Sequence, residues 1–190
     1  MTMSPTSLAA GPARLYVGLF GAVEPLAAAI NDAPAASAWV EVGLTVGGTT
    51  LTVERTYLEL KADQLADRLG SKLTGRSITV GTQLAEVTLD NYAAAQGSGV
   101  VTDGSGYETF EPTDGDVTPD GDDAAPTYVA LLLDSVGPNG KRRRAVVRKV
   151  LATASVGLAM TMDAQQVFPV TWTAHYVSSA IFPYQVWQAV

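Results

Sequence analysis

The stretch Ser77 to Gly97, SITVGTQLAEVTLDNYAAAQG, passes from a strand pattern into a helix pattern with no turn between. Ile78, Val80 and Thr82 alternate with Ser77, Thr79 and Gly81, as expected for a strand with one covered face. Apolar residues then fall at Leu84, Val87 and Leu89, followed by a helix-favouring Tyr92-Ala-Ala-Ala95 and a stop at Gly97. This predicts a helix over about 85–96. Most of the remaining chain alternates at period two, so the expected fold is mainly β: a two-sheet β-sandwich or barrel carrying one flanking helix.

The other strands are expected at Ala13–Phe20, Trp39–Val46, Leu51–Leu60, Thr127–Val136, Lys141–Ala152 and Val167–Val177. Gly47-Gly48 reads as a hairpin turn, and so does Gly137-Pro-Asn-Gly140. Residues 1–12 read as a flexible N-terminal arm, residues 13–180 as the domain, and residues 181–190 as an aromatic C-terminal tail. Lys61–Gly75 reads as a loop with one helical turn, because Gly70 and Gly75 interrupt the spacing of Leu65, Leu69 and Leu73. The Gly- and Asp-rich segment at about 100–126 reads as a long acidic loop with a short strand near 106–110.

Charge is scarce and uneven. Only 16% of the 190 residues are charged, against about 25% in typical soluble domains, which points to surface hidden by partners. Eight of the 19 acids lie between Asp103 and Asp123, where there is no Lys or Arg; the other 11 face 12 bases. The net charge of −7 therefore belongs mainly to one segment. The apolar run Leu15–Val23 is too short to cross a bilayer and lacks a basic leader, so neither a membrane span nor a secretory signal is expected.

Catalytic and cofactor motifs fail one after another. There is no cysteine, which removes disulfides and thiolate chemistry. His175, the single histidine, lies in an alternating strand, and no Gly-x-Ser-x-Gly elbow surrounds any serine. The acidic segment DGDVTPDGDD lacks the ligand order of a calcium loop, and no glycine pair precedes Lys-Ser/Thr as a phosphate loop requires. No enzyme, cofactor or metal is expected. The basic run Lys141, Arg142, Arg143 and Arg144 has no aromatic platform for nucleic acid. Its expected role is inter-subunit pairing with acids such as Asp120, Asp122 and Asp123.

The order of three motifs, WVEVGLTVGG (Trp39–Gly48), TYLELKADQ (Thr56–Gln64) and ITVGTQLAEVTLDN (Ile78–Asn91), resembles the tail tube proteins of long-tailed bacteriophages. APTYVALLL and VFPVTWTAHYV fit the same pattern of paired late strands. The resemblance implies a two-sheet sandwich whose copies form hexameric rings, stacked into a hollow virion tube through which double-stranded DNA passes without specific binding. It also implies assembly in the host bacterial cytoplasm and contact with tape-measure, terminator and tip proteins. Within that frame Glu86 and Thr88 mark where an inner strand leaves the barrel wall, and Leu84, Val87, Leu89 and Tyr92 pack the helix.

Strand parity then sets Leu51, Val53, Ile78 and Val80 toward the core and Thr52, Glu54, Thr56, Thr79 and Gln83 toward the channel. A neutral-to-acidic lumen would let a polyanion slide. Two alternatives share the composition. One is the tube of a phage-like injection or secretion particle. The other is a capsid-decorating or adhesive β-sandwich, which would expose Trp172, Tyr176, Tyr184 and Trp187.

Overall fold

The computed structural model describes residues 11–61, 63, 67–112, 126–157, 163 and 165–189. It is mainly β, with ten strands and one α-helix among them. The strands are β1 (Arg14–Leu19), β2 (Val40–Glu41), β3 (Thr45–Leu60), β4 (Gly70–Leu84), β5 (Val100–Asp103), β6 (Glu108–Glu111), β7 (Val129–Val136), β8 (Arg142–Ala152), β9 (Phe168–Ala174) and β10 (Tyr184–Gln188). Eight of them form one antiparallel sheet, ordered β2-β1-β7-β8-β9-β4-β3, with β10 also paired to β8; β5 and β6 form a separate ribbon.

The strands thus divide between a large antiparallel sheet and a small one. Only Val42–Leu44 separates β2 from β3, the first and last strands of the order. That connection cannot span more than about 14 Å, so the sheet curls until its two edges approach at this corner. Inside the curl lies the main core, which includes Leu15, Val80, Leu84, Leu131, Val147, Val150, Phe168 and Trp172. A bulge in β8 opposite Val129–Leu131 supplies part of the bend. A smaller cluster on the outer face, Tyr16, Trp39, Ala130, Leu132 and Val146, is covered by the connection that follows β1. Trp39 lies in that connection rather than in a strand, and its indole donates to the Val23 carbonyl at 2.9 Å.

The helix, α1 (Leu89–Gln96), begins later than the spacing predicts. Ala85–Thr88 form a non-helical link with a bend at Glu86: the Ala85 amide donates to the Leu44 carbonyl, and Thr88 caps the helix by accepting from the Asn91 amide. Gly97, at φ 76°, closes it. The packing face also differs from expectation. Val87 is exposed, and contact with the core runs through Ala95 and Tyr92, whose ring meets Phe168 and Phe110. Buried Asn91 ties the corner together by donating from Nδ2 to the Val42 and Glu86 carbonyls at 3.0 and 2.9 Å.

Two loop expectations are revised, and the short strand expected near 106–110 forms as β6. Gly47-Gly48 makes no hairpin; it forms a bulge within the 16-residue β3. The two glycines sit at φ 75° and 81°, and Thr82 donates to the Gly48 carbonyl and accepts from Thr49, replacing lost ladder bonds. The last six residues of Lys61–Gly75 are not loop either, because β4 starts at Gly70 and pairs with β3 back to Leu60. Residues 100–111 form the β5–β6 ribbon, whose Phe110 packs on Tyr92. The tail, in turn, contributes β10 to the main sheet.

Candidate assembly surfaces

Thr52, Glu54, Thr56, Thr79 and Gln83 lie on one face of the β3–β4 ladder. Thr52 pairs with Thr79, and Thr79 pairs onward with Thr173 of β9. Thr52, Glu54, Thr56 and Gln83 are exposed, and Thr79 is half-buried. The opposite parity, Leu51, Ile78 and Val80, packs inward against or near the main core. Thr50 and Thr171 flank Gly81 on the same outward face, and Thr173 shares a hydroxyl–hydroxyl bond of 2.8 Å with Thr153. The outcome is a polar face rich in threonine across three strands. Beside it β3 is an edge strand, with no strand on its outer side among the described residues.

The basic run has another role than the one expected. Arg144 is 0% exposed, and its Nε and Nη2 donate to Asp134 at 2.6 and 2.8 Å. Its Nη2 also donates to the Asp32 carbonyl at 2.7 Å. Arg142 donates to the Asn31 and Asp32 carbonyls, and Arg143 to the Gln188 side chain. These three arginines staple the connection after β1 and the last strand onto their own sheet, so Arg144 is unavailable to a second subunit. Arg148 does the same with Glu24. Of the predicted run only Lys141 is fully exposed. Asp120, Asp122 and Asp123 lie outside the described residues. Nearby, a hydrogen bond that Arg14 donates to Tyr16 and the charge of Glu41 raise the Arg14 pKa above its ordinary value.

Two apolar surfaces escaped the sequence reading. Beyond Thr56 the β3–β4 hairpin projects with Tyr57, Leu58, Leu60, Leu69 and Leu73 each about half exposed. They occupy both faces, so strand alternation carried no sign of them. The second is an open groove of about 760 Å³ at the β1–β2 edge, lined by Val17, Leu19, Val23, Val40 and Ala94, with Glu41 and Asp90 also in its wall.

His175 rests edge-on against Tyr128 at 5.2 Å, with Lys149 4.2 Å from the Tyr128 ring on the same cluster. Its Nε2 is buried without a partner. No group of three or more acidic or histidine side chains among the described residues could hold a metal ion. Of the four aromatics an adhesive face would use, Trp172 is wholly buried and Tyr184 and Trp187 are half-buried; Tyr176, 72% exposed, is the exception. No described helix is long and apolar enough to cross a membrane. In comparisons with known proteins, no family model matches the chain and no curated protein matches it.

Proposed function

We propose that this chain is a structural subunit that self-assembles into stacked rings, forming the tail tube of a long-tailed phage. The observation that carries the reading is the threonine-rich outward face of β3, β4 and β9 beside β3, an edge strand among the described residues. A long open edge invites aggregation in a monomer, and pairing it with a neighbour in a closed ring removes the hazard. In such a ring Thr52, Glu54, Thr56, Thr79 and Gln83 would line the channel. Their hydroxyl and amide groups, with one carboxylate, would offer DNA phosphates no cationic grip. The exposed apolar surface at both ends of the hairpin supports an assembling subunit over a free monomer.

The test is negative-stain electron microscopy of the purified, concentrated protein, together with light scattering. Hollow filaments of uniform width or six-fold rings are the expected result. A monodisperse monomer in both measurements overturns the proposal.

A further inference from the structure

We infer that the distal β3–β4 hairpin of one copy docks in the β1–β2 edge groove of a second copy, forming a head-to-tail contact. The inference rests on the self-assembly reading above and names the two surfaces that would carry it.

The hairpin presents the first half of the argument. From Tyr57 to Leu60, and from Gly70 to Leu73, the two strands pair only with each other. An isolated two-stranded hairpin is marginal in water, yet this one exposes large apolar side chains on both faces, Leu58 at 54%. Such a ribbon gains stability only when something covers it.

The groove presents the second half. Its wall is largely aliphatic, with Leu19, Val23 and Val40 each about three-quarters exposed. The chain's own hairpin cannot fill it. The groove residue Glu41 lies just before β3 begins at Thr45, whereas Leu58 lies 13 residues along that strand. At strand rise this is about 40 Å. Base and tip of one rigid ladder cannot meet, so a hairpin seated in this groove belongs to a second copy.

Charge selects the orientation. Arg55 and Arg76 face each other directly across the ladder two residues before Tyr57, and Lys72 pairs across from Leu58. Like charges directly opposed cost stability, and none of the three has an ion-pair partner among the described residues. The groove wall brings the complement in Asp90, exposed in the first turn of α1, and in Glu41, which Arg14 of the same chain approaches at 3.8 Å. Because tip and groove are different surfaces, the contact is heterologous. Repeating it closes a ring if the rotation allows, and otherwise grows a filament.

The absence of native cysteine makes the test clean. Cysteines introduced by Leu58→Cys and Val40→Cys in one chain, treated with a short bismaleimide at assembling concentration, should give a ladder of covalent multimers. Either variant alone should give no ladder, and the two single variants mixed should stop at a crosslinked dimer. Pairing Leu58→Cys with Tyr107→Cys, exposed and not among the groove's lining residues, controls for random collision. Separately, Leu58→Asp should raise the concentration needed for assembly about tenfold or more, as loss of a buried anchor does. Rings or tubes without the 58–40 ladder overturn this contact and leave the self-assembly reading standing. A ladder without tubes supports the contact and overturns the tube. Monomers without crosslinks overturn both.

Discussion

Removing a guanidinium from water costs several kcal/mol, and Arg144 recovers that cost only through its paired bonds to Asp134 and its bond to the Asp32 carbonyl. Arg144→Ala would leave Asp134 buried with no hydrogen-bonded cation and only Arg142 at 3.9 Å, and should destabilise the protein by about 3–5 kcal/mol. Replacing both partners with Leu should recover much of that loss, since an apolar pair has no charge to desolvate; urea unfolding of the three variants measures the difference. Gly43 makes a second residue-scale case. It sits at φ 79°, and a Cβ there would lie 2.3 Å from the Glu86 carboxylate, which accepts from the Leu44 amide. Gly43→Ala should therefore cost more than the roughly 1–2 kcal/mol of left-handed strain alone. Gly47→Ala, at φ 75° with open space around it, should cost only the strain. Equal losses in the two variants would remove the steric account.

Among the elements, the β3–β4 hairpin joins two unlike halves. Thr45–Thr52 pairs with a β4 segment that is itself paired to β9 and backed by the core, whereas Tyr57–Leu60 rests on its partner strand alone. Local opening follows burial and neighbour count, so hydrogen exchange in the monomer should protect amides of Val80–Leu84 far longer than those of Leu58–Leu60. Uniform protection along the ladder would contradict this. Assembly should then slow exchange at the tip. The same element shows why part of the fold could not be read from sequence. Gly47-Gly48 carries the composition of a tight turn, and nothing local reveals that Thr82, more than thirty residues away, will bond to Gly48 and carry the strand through a bulge. Gly70 and Gly75 likewise resemble breakers, yet both sit in a ladder where a facing strand supplies the bonds.

At the scale of the whole molecule, the charges sort by what they hold. The arginines of β8 face inward to their own chain, and the threonine-rich face carries no cation among Thr52, Glu54, Thr56, Thr79 and Gln83. If that face lines a channel, converting Thr52 and Thr79 to Lys should make particles assembled in the presence of duplex DNA retain it. Retention should fall steeply as salt rises, while the parent particles retain none. Equal retention by parent and variant would place this face away from the channel.

The amino-acid order by itself determined the mainly β character, the one helix, the hairpin at Gly137–Gly140 and the side of β3 and β4 on which each residue stands. Those follow from period, propensity and turn chemistry acting over a few neighbours. Tertiary structure alone decided that eight of the strands form one curled sheet, that Arg144 is buried against Asp134, and that the tail becomes β10. Each of these depends on a partner distant in sequence, and strand parity says which way a side chain points without saying what will cover it.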